Sequence, residues 1–294
     1  MNLKNLLAFI AVAIMILGTS AAWAVQCTAD TPDLLDQIKQ RGELRVGYVN
    51  SKPYVYKNLA TGQLEGVVVE AAKMLTDRYL KVKLTWVEAK WDTMIAGLQA
   101  QKYDVIMVNT GRGQERAEAV WFTEPWIMGQ QAFLVRKKDN IHSLADLDKP
   151  GNVIVVLAGE RAHAVYTKES PHFFQHATIK PVVPPAMPEQ DVATGRAIAY
   201  GAGNIDIYAI AQANPDWSEM LILPEAPRAN GAGFIVPQCQ ANLLQYMNVY
   251  LDTLIEGKFL YQWALQYGLP TDSIVAPRPT YGDLAALAAQ AKGK

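Results

Sequence analysis

Residues Asp104 to Trp126 read DVIMVNTGRGQERAEAVWFTEPW. The short apolar run Val105 to Val108 has the length and composition of a buried strand. It gives way to a loop rich in Asn, Thr and Gly over Asn109 to Gly113, then to a charged turn carrying Gln114, Glu115 and Arg116. An aromatic stretch closes on Thr123-Glu124-Pro125. The pattern predicts a strand ending in a ligand-facing loop, with one arginine presented just beyond it. Arginine suits that place because its planar guanidinium grips a carboxylate through two parallel hydrogen bonds. An ordinary surface arginine in the first turn of a helix would give the same letters.

Upstream, Asp33 to Arg41 reads as a short helix stopped by Gly42, and Leu44 to Val49 as a first buried strand. Val67, Val68, Ala71, Ala72 and Leu75 fall on one helical face, which must pack on a sheet. Val82 to Val87 alternates like a strand, and Met94, Ile95 and Leu98 continue a helical stripe that begins at Trp91. Downstream, Gln130 to Arg136, Val153 to Leu157, Ile179 to Val183, Met220 to Leu223 and Gly233 to Val236 are apolar strands. Gln190 to Ile198, Leu243 to Leu254 and Phe259 to Tyr267 read as helices, and Pro184 to Pro188 as a stiff connection. Alternating strands and helices argue for parallel sheets flanked by helices. Ligands of such sheets bind outside the carboxyl ends of the strands, where the Asn109 to Gly113 loop would sit.

The 294 residues suffice for two domains or one large one, at 50% hydrophobic and 19% charged residues. A net charge of −1 gives no electrostatic case for nucleic acid or an anionic membrane. Lys4, the apolar run Leu6 to Leu17 and Ala22-Trp23-Ala24 predict a signal peptide over residues 1–24, cleaved after Ala24, and hence export to the periplasm. An uncleaved anchor is the rival, but the run is short for a span. Cys27 follows Gln26, not the small residue a lipoprotein site wants. Cys239 is the only other cysteine, and in an oxidising compartment a Cys27–Cys239 disulfide is expected.

Other chemistry is missing from the text. There is no Gly-rich phosphate loop, no G-x-S-x-G serine and no zinc spacing among His142, His163, His172 and His176, which read as surface residues. No cofactor or metal is expected. No internal repeat or low-complexity tract is present.

Several motifs together resemble the family 3 periplasmic solute-binding proteins, the amino-acid type of ABC importer. Asp104-Val105-Ile106, Glu115-Arg116-Ala117 and Phe122-Thr123-Glu124-Pro125-Trp126 match that family's signature at its spacing. Arg41 to Gly47, Pro53-Tyr54, Leu64-Glu65-Gly66, Ser143 to Leu147 and Gly195-Arg196-Ala197 resemble further family motifs. The resemblance implies an α/β, two-lobed type II periplasmic binding protein fold, with each lobe a mostly parallel sheet flanked by helices. Two crossover strands near Phe133 and Phe234 would join the lobes. The expected division is 25–133 for lobe 1, 134–233 for lobe 2, 234–270 for the return to lobe 1, and 271–294 for a tail with an Ala-rich segment at Leu284 to Ala291.

The same resemblance implies a site for a small polar, carboxylate-bearing solute, an amino acid or related compound, which a monomer delivers to an ABC transporter permease in the inner membrane. Arg116 would hold a carboxylate. Tyr54 and Trp91, with Trp126 as a further flat face, would cover the ligand, and Asn109 and Gly111 would offer backbone groups. From the second lobe Gly159 keeps the family's close backbone approach, while Glu160 and Arg161 stand where hydroxyl residues are usual. The aspartate that pairs with a ligand ammonium falls on Gly203; Asn204 or Asp206 would have to stand in. That loss predicts a site more demanding of a carboxylate than of an α-amino group. Cyclohexadienyl dehydratases share the resemblance, with a catalytic glutamate whose aligned position falls near Ala162, two residues after Glu160. An enzyme of that type is the alternative, and a periplasmic accessory or sensor protein a third.

Overall fold

The computed structural model describes residues 27–28, 31–184, 186–227 and 231–275. The expected signal peptide at 1–24 and the tail beyond residue 275 lie outside them. The chain divides into two compact units, Met1–Thr31 and Pro32–Lys294. In the first, the Thr31 N–H donates to the Thr28 carbonyl at 3.1 Å. Cys27 and Cys239 form the expected disulfide.

The second unit begins with α1 (Leu34–Arg41), β1 (Glu43–Tyr48), the ribbon of β2 (Tyr56–Lys57) and β3 (Leu64–Glu65), and α2 (Val67–Met74). There follow β4 (Lys83–Glu88), α3 (Met94–Gln99), β5 (Val105–Gly111), α4 (Gln114–Ala117) and β6 (Trp121–Phe122). A second run holds β7 (Gln131–Arg136), α5 (Leu144–Leu147), β8 (Val153–Leu157), α6 (Arg161–Ala164), β9 (Thr178–Val182) and α7 (Pro188–Thr194). It continues with β10 (Ala199–Gly203), α8 (Asn204–Ala213) and β11 (Ser218–Leu221), before β12 (Ala232–Val236), α9 (Ala241–Glu256) and α10 (Phe259–Tyr267) complete the unit.

These elements build two lobes, each around a five-stranded sheet. The first has the order β4-β1-β5-β12-β6 and the second β11-β7-β10-β8-β9. β1 pairs in parallel with β4 and β5, and β8 in parallel with β9 and β10; the remaining pairings are antiparallel. The inner strands β5, β7 and β8 read as apolar runs because both faces of each sheet are covered there. In β7, Phe133 and Val135 pack into one core while Ala132 and Leu134 pack into another on the opposite face. In β5, Val105 to Val108 are all fully buried. From α9, Leu243, Met247, Leu251 and Leu254 return to the core of the first lobe.

β12 crosses between the lobes' elements in a way that lengthens β5. Its Ala232 and Gly233 pair with Gly111 and Thr110, so Asn109 to Gly111 are strand and not the expected loop. The crossing points also shift. Phe133 lies inside β7 of the second sheet and Phe234 inside β12 of the first, both fully buried. The chain therefore passes between the lobes earlier than those residues, first between β6 and β7 and again between β11 and β12. The helix expected over Gln190 to Ile198 starts sooner, with Pro188 in its first turn, and ends at Gly195, whose φ of +81° terminates it in the left-handed region. His163 is also displaced from expectation: it is half-buried, and its Nδ1 accepts the Gly159 N–H at 3.3 Å.

Asp104 pins the edge of this framework. Its carboxylate accepts from the Arg45 backbone N–H at 2.8 Å, from Arg45 Nη2 at 2.7 Å and from Arg41 Nη2 at 2.5 Å, with the side chain fully buried. Those bonds tie the end of α1 and the start of β1 to the start of β5. Removing one partner of a buried ion pair leaves the others uncompensated, at a cost of about 3–5 kcal/mol. Asp104→Ala should lose about that much in a urea unfolding titration; a loss under about 1 kcal/mol would show the cluster to be only a surface ornament.

Candidate functional site

Strand alternation decides which residues of β5 face the second lobe. Side chains at i and i+2 share a face, so Asn109 and Gly111 point one way and Thr110 the other. Asn109 and Gly111 line a cavity of about 610 Å³, mouth included, to which both lobes contribute. Tyr54, Trp91, Arg116, Glu160, Arg161 and Asn204 line it as well. Of the residues singled out from sequence, Gly159 and Trp126 are not part of that wall; Gly159 sits at the contact between lobes.

Gly159 shows how closely the lobes approach. Its φ is +82°, and a Cβ placed there would come within 2.5 Å of the Asp92 backbone nitrogen, so no other residue fits without displacing backbone. The Arg116 guanidinium spans the same contact. Its Nη1 donates to the Gly111 carbonyl at 2.8 Å, within its own lobe, and its Nη2 to the Gly159 carbonyl of the other. Enclosure pulls the Arg116 pKa down to about 10, and the nearby Arg161 cation adds to the effect. Arg116 thus remains a cation at neutral pH. A more exposed ion pair, Lys168 with Glu115, also joins the lobes; pairs of this kind contribute little.

The second lobe brings two carboxyls to the cavity. Glu160 precedes α6, and its Oε2 is buried with no partner among the described residues. Burial pushes Glu160 up to about 8, and Asp206 adds to the rise; Arg116 and a hydrogen bond with Tyr200 oppose it. Asp206, in the first turn of α8, is raised by burial to about 7. Asp206 was not among the expected ligand residues except as a stand-in. Its Oδ2 lies where a side chain at Gly203 would begin, 3.0 Å from a Cβ built there. Asp206 thus brings a carboxyl beside position 203, from the first turn of the helix that follows.

Asn204 is committed elsewhere. Its Oδ1 accepts the Gln130 N–H at 3.1 Å, and its own N–H donates to the Gln130 carbonyl at 2.9 Å. These bonds fasten the first crossing segment to the second lobe. Trp126 is not a flat face for a ligand: it is fully buried, 6.1 Å from Tyr54 and 5.8 Å from Phe234 between ring centroids. Its indole instead backs Tyr54. Gln131, which sequence reading passed over, lines the cavity with a buried, unpartnered Oε1.

The raised carboxyls set a pH dependence. Glu160 and Asp206 bind protons more tightly in the folded chain than in the unfolded one, where ordinary values are about 4. Their contribution to stability is full below that range and is lost as pH rises through about 7 to 8. Dialysed protein should lose more melting temperature between pH 5 and pH 8.5 than the variant Glu160→Gln does. Parallel pH profiles for the two proteins would contradict the assignment.

Residues 44–269 match the bacterial extracellular solute-binding proteins, family 3. A probable amino-acid ABC transporter periplasmic-binding protein of Sinorhizobium fredii is 27% identical over 57% of this chain and 56% of its own length. An L-cystine-binding protein of Bacillus subtilis is 32% identical over 40% of this chain and 44% of its own. The chain thus spans about half the length of the curated relatives it matches. The crystal structure of an ancestral amino acid-binding protein, described as a precursor of cyclohexadienyl dehydratase, superposes with a TM-score of 0.70 at 28% identity, covering 79% of this chain and 98% of that one. With the two-lobed fold, the enclosed arginine and the matched span in agreement, the chain belongs to the bacterial extracellular solute-binding proteins, family 3.

Proposed function

We propose that this protein captures an amino acid or a related solute bearing both a carboxylate and an amino group, in the periplasm, and delivers it as a monomer to an ABC-type permease in the inner membrane. The observation that carries this reading is a cation and two carboxyls in one cavity: Arg116 from the first lobe, Glu160 and Asp206 from the second. An α-amino acid presents the complementary pair. Its carboxylate takes the guanidinium fork, and its ammonium donates to acceptors that otherwise stay unsatisfied. Tyr54 and Trp91 supply apolar walls. Asp206 restores the ammonium partner whose absence from position 203 had argued for a ligand without an amino group. Relatives named for amino acids and for L-cystine agree with the class.

One observation favours a second reading. Glu160, raised to about 8, keeps its proton at neutral pH, as a general acid acting on a departing hydroxyl would need. On this reading a cyclohexadienyl substrate loses water in the presence of this protein, with Glu160 protonating the departing hydroxyl, and Glu160→Gln stops it.

The binding reading is tested by a thermal-shift screen of amino acids and their deaminated analogues. A ligand at a hundredfold excess over Kd adds about 2.7 kcal/mol, a shift easily seen. The expected result is a shift with amino acids that disappears with the analogues. Arg116→Lys should weaken the binding about ten- to a hundredfold, since an ammonium cannot reproduce the two-pronged contact. Shifts of equal size for amino acids and analogues, or an unaffected Arg116→Lys variant, would sink the proposal.

A further inference from the structure

The cavity holds a second guanidinium that one ligand carboxylate does not account for. Arg161 opens α6, and its stem crosses the first lobe at Gly111, where a Cβ would come 3.0 Å from Arg161 Cγ. Its side chain is 12% exposed. Nη2 is anchored by Glu169 at 2.5 Å, whereas Nε and Nη1 are buried with no partner among the described residues. Arg161 lines the same cavity as Arg116 and stands close enough for their repulsion to be felt. Arg116 itself spends two donors on backbone carbonyls, Gly111 and Gly159.

Glu169 balances only one of two cations enclosed side by side, and the buried N–H groups of Arg161 that it does not reach are costly unless an acceptor meets them. Two planar forks also match two acidic groups better than one. Building on the amino-acid reading above, we propose that the natural ligand carries a second acidic group, received by Arg161, so that the ligand class is the dicarboxylic amino acids. The acids facing the cavity fit such a ligand. Glu160 and Asp206 are both shifted toward their protonated forms, which leaves the cavity richer in positive charge than a count of four ionised groups suggests.

Isothermal titration of the dialysed protein with acids and their uncharged counterparts tests this: L-glutamate against L-glutamine, L-aspartate against L-asparagine, and L-2-aminoadipate against L-norleucine. At least one acid should bind about ten- to a hundredfold more tightly than its uncharged counterpart, the worth of one charge-assisted pair. Arg161→Gln should remove that ratio by weakening the binding of the acid more than that of its uncharged counterpart. If the uncharged members bind as well as the acids, the second acidic group is refuted while the amino-acid reading stands. An unchanged ratio in Arg161→Gln refutes the role of Arg161. If no amino acid binds at all, the reading beneath the proposal falls, and the proposal with it. Should the variant not fold, the ratio in the unaltered protein decides alone.

Discussion

The cation of Arg116 is enclosed where the two lobes meet, and much of the site follows from how it is satisfied. Its donors reach the carbonyl of Gly111 from one lobe and that of Gly159 from the other. Both carbonyls are accessible because neither residue carries a Cβ. A side chain at Gly159 would collide with the Asp92 backbone, and one at Gly111 would crowd the stem of Arg161. The arginine therefore requires small residues on both sides, and the close approach they permit is what makes a closed cavity.

A cation so placed constrains the opposite wall. Glu160 and Asp206 lie in the same cavity and are held toward their protonated forms by burial. Neither has the ionic partner that Arg41 and Arg45 give to Asp104. That contrast separates structural charges from functional ones. The Asp104 cluster satisfies every group and joins three elements of the framework, whereas the cavity groups retain buried donors and acceptors. Unsatisfied buried polar groups cost stability, and a ligand in the cavity would meet those of Asn109, Gln131, Glu160 and Arg161.

Much of this was legible in the sequence because it rests on short-range pattern. Apolar runs marked the sheet strands, and Asp104 to Trp126 carried the spacing that placed Arg116. Other features depended on partners far along the chain. Asn109 to Gly111 have loop-forming composition but become strand because β12, more than a hundred residues away, pairs with them. Asp206 was hidden by the family register, which points to Gly203; the signal was an acidic residue in the first turn of the next helix, a place that favours acids for local reasons alone. Trp126 sits in a motif that suggested a ligand face, yet its burial against Tyr54 and Phe234 is visible only in three dimensions.

The central claim is that the cavity holds an amino acid with its carboxylate at Arg116 and its ammonium at the acidic wall. A crystal structure of the protein with the tightest-binding amino acid tests it most directly. The account predicts both carboxylate oxygens within about 3.2 Å of the Arg116 guanidinium and the ammonium within the same distance of Asp206 or Glu160. A ligand bound outside the cavity, or one reversed so that its ammonium faces Arg116, would contradict it.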